Sequence, residues 1–127
     1  MALLADYVVM RDISPNPGTF PAGERTFIVD LPGGIVVTGF GQSPFLMFVV
    51  RAPAGSVNLE IDVNGQRLLN LAEFNAPIGQ TTIHEVVDRT LLRAGSRNDF
   101  VFRVVSAQAN AALRISNIIL WFQRDSI

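Results

Sequence analysis

The chain has 127 residues, the length of one domain, enough to bury roughly two thirds of its unfolded surface around a single core. Eleven acids against ten bases leave a formal net charge of -1, so no basic footprint for a phosphate backbone exists and no nucleic-acid partner is expected. Cysteine is absent, which excludes disulfides, thiol catalysis and cysteine metal sites, and every base is Arg, so there is no lysine for a P-loop or a Schiff base.

The first residues, MALLADYVVM, lack a positive leader region, and Asp6 interrupts a very short apolar run, so residues 5–10 read as a strand rather than a signal peptide. Residues 11–24, RDISPNPGTFPAGE, read as one long loop, because Pro15, Pro17, Pro21, Gly18 and Gly23 deny it ladder donors or regular dihedrals. Residues 26–31 form a strand, Pro32-Gly33-Gly34 a turn, and residues 35–40 another strand, with Gly39 and Gly41 marking a bulge or close approach. Residues 45–51 read as a strand apolar on both faces through Val50, which predicts a central strand covered on both sides. The longest apolar runs, 45–50 and 118–122, fall far short of the ~20 residues that span a bilayer. No membrane partner is expected, and the cytoplasm is the default compartment.

After a turn at residues 52–55 comes the clearest structural signal, SVNLEIDVNGQRLLNL at residues 56–71. Val57, Leu59, Ile61 and Val63 alternate with Asn58, Glu60 and Asp62, a period of two that puts the apolar set on one face of a strand. Asn64 and Gly65 both tolerate positive φ and fit a type I′ hairpin turn. A two-residue loop then sets Asp62 opposite Arg67 on the polar side and Ile61 opposite Leu68 on the core side.

Residues 72–79, AEFNAPIG, read as a second irregular loop. In residues 80–93 a capping-box spacing of Thr82 and Glu85 competes with a run of β-branched residues, and the reading is a strand to Val87 followed by a helical turn over residues 88–92. Phe100, Phe102 and Val104 alternate in the next strand, and residues 113–123 form the last, whose apolar face switches near Ser116-Asn117 and so implies a bulge. Nine or so short strands with no long helix predict an all-β antiparallel sandwich, jelly-roll-like. Its core holds Val57, Leu59, Ile61, Val63, Leu68, Phe100, Phe102, Val104, Ile115 and Leu120.

Catalytic constellations are hard to assemble. His84 is the one histidine, so a zinc site lacks ligands at a recognised spacing, and a Ser-His-Asp triad lacks the G-x-S-x-G turn; a partly exposed structural role is the commoner use of such a residue. Nothing marks Glu60, Asp62, Glu73 or Asp88 as a tuned carboxylate pair. Trp121 and Tyr7 are sugar-stacking residue types, but both lie in apolar strand runs and read as core or interface. The loop aromatics are Phe20 and Phe74, with the Asn75 amide beside the second. Asp12 and Asn16 have the chemistry to bind calcium, although residues of this kind more often stabilise a turn.

The strings LEIDVNG at 59–65, HEVV at 84–87, LLRAGSRN at 91–98, FVFRV at 100–104 and RISNIILW at 114–121 resemble the galactose-binding-like jelly rolls of carbohydrate-binding modules and of glycosidase sugar-binding domains. The likeness covers residues 56–122 and implies the same fold, because its Gly and Asn are turn chemistry. It implies a lectin-like carbohydrate-binding module, and the lack of a catalytic or metal-ligating constellation adds the expectation that it is non-catalytic, with no cofactor and no metal. Phe20 and Phe74 would then stack on a sugar ring, and Asp12, Asn16, Asn75 and Arg97 would hydrogen-bond its hydroxyls. The alternative is a structural or assembly protein, such as a virion, tail or shell component. The apolar surplus would then be a subunit interface, and on this ground a homo-oligomer is expected.

Overall fold

The computed structural model describes residues 3–12, 19–20, 23–33, 43–54, 56–75, 78–105 and 112–125. Ten strands are present among them: β1 (Leu3–Val9), β2 (Arg11–Asp12), β3 (Thr19–Phe20), β4 (Gly23–Asp30), β5 (Phe45–Ala54), β6 (Ser56–Val63), β7 (Gln66–Asn75), β8 (Ile78–Val86), β9 (Arg97–Val105) and β10 (Ala112–Asp125). All the pairings are antiparallel. The first sheet runs β1-β10-β5-β8, with β3 also on β10, and the second runs β2-β4-β9-β6-β7. The result is an antiparallel β-sandwich of the jelly-roll kind.

Period-two patterning builds the core. Val57, Leu59, Ile61 and Val63 of β6 and Phe100, Phe102 and Val104 of β9 are buried from one side, facing Leu46, Phe48, Val50, Ile115 and Leu120 of the other sheet. Phe102 joins the layers: its ring meets Phe27 at 5.1 Å and Phe48 at 5.4 Å, both edge-on.

The hairpin turn has φ of 50° at Asn64 and 84° at Gly65, as a type I′ turn requires. Asp62 lies opposite Arg67 and the two form an ion pair, but Ile61 lies opposite Leu69 rather than Leu68. A bulge follows the first cross-strand pairs, so Leu68 is an extra residue in β7, and both leucines are half-buried against the core. A Cβ on Gly65 would meet nothing within 4 Å. Gly65→Ala should therefore cost only the backbone penalty of a left-handed alanine, about 1 to 2 kcal/mol, read as a lower denaturation midpoint with an unchanged slope.

Residues 80–93 resolve as the β-branched run suggests: β8 ends at Val86 and a 3₁₀ turn, Arg89–Leu91, follows. Asp88 caps that turn, its Oδ1 accepting from Thr90 N at 2.9 Å and from Thr90 Oγ1 at 2.8 Å. These bonds, the backbone one first, hold the Asp88 carboxyl below its ordinary range.

The two expected long loops shorten at their ends. Arg11 and Asp12 pair with Ile28 and Phe27, Thr19 and Phe20 pair with β10, and Gly23 already ladders with Val104. In the second, β7 continues to Asn75 because Ala72 and Phe74 keep the inward alternation opposite Leu59 and Val57, and β8 resumes at Ile78. Likewise β5 runs on to Ala54 through part of the predicted turn at 52–55. The strand expected at 35–40, with its glycine bulge, lies outside the described residues.

Candidate functional site

The outer faces of the two sheets differ in chemistry, and that difference locates the site. On the second sheet Arg103 reaches Glu60 at 3.1 Å, Glu24 at 3.2 Å and Asp62 at 3.4 Å, while Arg67 pairs with Glu60 and Asp62. This charged face is solvated and satisfies itself; its carboxylates, Glu60 first, raise the Arg103 pKa above the usual guanidinium value.

Toward one end, the first sheet is apolar outside as well as inside. Cross-strand register sets Val86, Phe45, Trp121 and Tyr7 in one row across β8, β5, β10 and β1, and His84, Met47, Ile119 and Val9 in the next. Leu46, Phe48 and Val50 point into the core, so Phe45, Met47 and Val49 point out, and these are half-buried rather than covered as the sequence reading expected. Tyr7 is 55% exposed, Val9 57% and Val86 68%, and His84 is also exposed. Tyr7 and Trp121 therefore belong to the surface and not to the interior.

A bulge in β10 makes this face. Leu113 and Ile115 are buried, the register shifts between Ser116 and Ile119, and Asn117 takes φ of 52°. Beyond it the inward parity passes to Ile118, Leu120 and Phe122, which turns Ile119 and Trp121 outward. The sequence shows this switch at Ser116-Asn117.

The aromatic rings form a ladder across the four strands. Tyr7 and Trp121 lie 5.0 Å apart at 40°, Trp121 and Phe45 6.0 Å apart and close to parallel at 17°, and Phe45 meets His84 at 5.9 Å. Beside them runs a groove of about 720 Å³ lined by Phe45, Trp121, Val86 and Phe122, with polar groups from Ser43, His84 and Gln123. The Trp121 Nε1 is buried and meets no acceptor among the described residues. Asp6 fixes the Tyr7 end: its Oδ1 accepts from Tyr7 N and its Oδ2 from Arg124 Nε, both at 2.8 Å. Those donors, the Tyr7 amide first, hold the Asp6 carboxyl below its ordinary range.

The residues named from the sequence do not assemble into one site. Phe74 is 9% exposed and belongs to the core, packed in register with Val57, so it is not a stacking platform. Arg97 is exposed and paired with Asp99 at 2.8 Å, at the Val63 end of the second sheet. Asn75 lies opposite Ser56 at the other end, about 23 Å of strand away. Asp12 is in β2 and Phe20 in β3, on different sheets; Asn16, and the side chains of Asp12, Phe20 and Asn75, lie outside the described residues. No three His, Asp or Glu side chains among the described residues are grouped to hold a metal ion.

The recognition strings themselves meet at a corner. Asn64 N donates to Asp99 O at 2.8 Å and Asn64 Oδ1 accepts from Asp99 N at 2.9 Å, while Asn64 Nδ2 donates to Leu91 O and to Asn98 Oδ1, each at 2.8 Å. Asn98 is fully buried; its Oδ1 also accepts from Arg93 N at 2.8 Å, and its Nδ2 donates to Arg93 O at 2.9 Å and Ser96 O at 3.1 Å. The hairpin Asn-Gly and the Leu91 to Asn98 corner are one structural joint, and the Asn64 and Asn98 amides are taken up by it. No family model and no curated relative matches the sequence. Among solved structures, a CBM36 domain of a multidomain xylanase from the hindgut metagenome of Trinervitermes trinervoides covers 98% of this chain and 100% of its own, at TM-score 0.55 and 7% identity. A CBM36 module in complex with calcium and xylotriose covers 92% of this chain and 98% of its own, at TM-score 0.53 and 9% identity. The chain shares the jelly-roll fold of carbohydrate-binding modules. It also resembles part of dimeric latent PorU from Porphyromonas gingivalis, with TM-score 0.67 and 12% identity over 98% of this chain, which spans 13% of the PorU chain. At such identities the likeness concerns the fold alone.

Proposed function

We propose that this domain is a non-catalytic carbohydrate-binding module whose ligand lies across the outer face of the first sheet. The observation that carries the reading is the nearly parallel pair Trp121 and Phe45, flanked by Tyr7 and His84 along an open groove. The C–H face of a pyranose is apolar and flat, and it packs on such rings without displacing strongly held water. Ser43, His84 and Gln123 at the rim offer hydrogen bonds to ring hydroxyls. Support also comes from the fold shared with CBM36 modules, one of them in complex with calcium and xylotriose. Trp121→Ala should abolish glycan binding on an array while the melting temperature falls by only a few degrees, because the indole is half-exposed. Unchanged binding by that variant would remove the reading.

A second reading is favoured by Val9 and Val86, exposed aliphatics at the two sides of the ladder that offer a sugar nothing specific. On that reading two copies of the chain share this face as an interface, with burial of ~800 Å² per partner needed for a stable pair. Light scattering coupled to size exclusion tests it: a dimer broken by Val86→Glu supports it, and a monomer at every concentration excludes it.

A further inference from the structure

The same outer face changes chemistry toward its far end. Past Met47 and Val49, β5 presents Arg51, and β10 presents Arg114 directly opposite. Both are exposed, and both point outward because their neighbours Val50, Leu113 and Ile115 are buried. Like charges set directly opposite on paired strands repel. Arg67, Arg97, Arg103 and Arg124 each meet a carboxylate. Arg51 and Arg114 meet none among the described residues. Between them opens a cavity of about 260 Å³ lined by Val49, Gln80 and Ser116 as well as by the two arginines.

We infer that Arg51 and Arg114 form an anion subsite, and that the ligand of the outer face is an acidic glycan bearing carboxylate or sulfate groups. A guanidinium pair is suited to an oxyanion, since each fork offers two parallel donors, and a bound anion converts the cross-strand repulsion into attraction. Gln80 and Ser116 add neutral donors beside it. From Phe45 to Arg51 the strand rises about 20 Å, so the ring ladder and the arginine pair occupy two ends of one face. An extended oligosaccharide reaches both ends: one residue stacks on Trp121 and Phe45 while the acid group of another enters the arginine cavity. The inference rests on the carbohydrate reading for its aromatic half and on the arginine pair alone for its anionic half.

The test is titration of the full chain, followed through the fluorescence of its single tryptophan and by calorimetry, with oligogalacturonate, a sulfated dextran oligomer and a neutral xylo-oligosaccharide of matched length. At least one acidic glycan should bind tenfold or more tightly than the neutral one, with the advantage shrinking as salt rises; which of the two binds identifies the anion. The double variant Arg51→Gln, Arg114→Gln should bring the acidic and neutral affinities together, leave neutral binding unchanged, and melt no lower than the parent. Equal affinities for acidic and neutral glycans in the parent, both lost with Trp121→Ala, would overturn the anion subsite and leave the carbohydrate reading standing. Acidic binding that survives Trp121→Ala but not the arginine change would keep the subsite and remove the aromatic platform. Absence of binding to all three glycans would overturn both.

Discussion

Truncating Phe102 to alanine should lower the stability of the domain by about 3 to 5 kcal/mol, the largest loss expected from any single change in the core. The ring is fully buried and sits between Phe27 of its own sheet and Phe48 of the facing one. Its removal takes away apolar transfer energy and leaves a cavity that rigid strands on both sides cannot close. Urea unfolding should show a midpoint shift with an unchanged slope. Phe102→Leu, which keeps most of the volume, should recover more than half of the loss. A loss below 1 kcal/mol for the alanine variant would mean that the two sheets do not meet at this ring.

The second large effect is expected at a polar residue. Asn98→Ala removes four hydrogen bonds from a site without solvent access, stranding Arg93 N, Arg93 O and one hydrogen of Asn64 Nδ2, while Ser96 O keeps its bond from Leu31 N. A buried group left unpaired costs about 1 to 3 kcal/mol. Partial rehydration of a corner that is exposed on both sides of Asn98 reduces the sum, so a total of about 3 kcal/mol is expected. Asn98→Asp should also destabilise, because a carboxylate accepts but cannot donate to Arg93 O and Ser96 O. Thermal melts of the two variants check this. A parent-like melt for Asn98→Ala would show that the corner is held by Gly95 N to Pro32 O and Leu31 N to Ser96 O instead.

These two residues also show what the sequence made legible. Alternation in Phe100, Phe102 and Val104 placed the core strand, and Asn64-Gly65 placed the turn, because period and turn chemistry are local properties. The β10 bulge was readable for the same reason: an apolar face that changes parity needs an extra residue. Less local features were hidden. The Leu68 bulge arises after the turn has set only the first cross-strand pairs, and nothing in the leucine run says which one is extra. Residues 72–75 looked irregular because Pro77 follows closely, yet Phe74 still pairs in register with Val57.

The site was the least legible part, and the reason is physical. In a sandwich each strand has an inner and an outer set, and an apolar outer set reads like a second inner one. Phe45 and Met47 therefore looked as buried as Leu46 and Phe48, and Trp121 looked as buried as Leu120. Only the pairing of β1, β10, β5 and β8 aligns Tyr7, Trp121 and Phe45 into a row and sets His84 in the row beside it. Loop aromatics drew attention instead, and one of them, Phe74, is core.

The central claim is that ligand binds on the outer face of the first sheet, and amide and side-chain chemical-shift mapping of the labelled domain tests it most directly. On titration with the tightest-binding of the acidic and neutral oligosaccharides, shifts should concentrate at Tyr7, Phe45, His84 and Trp121, and extend to Arg51 and Arg114 with the acidic ligand. Shifts confined to residues 12–20 and 73–75, with the sheet face silent, or no shifts at millimolar glycan with the fold intact, would contradict it.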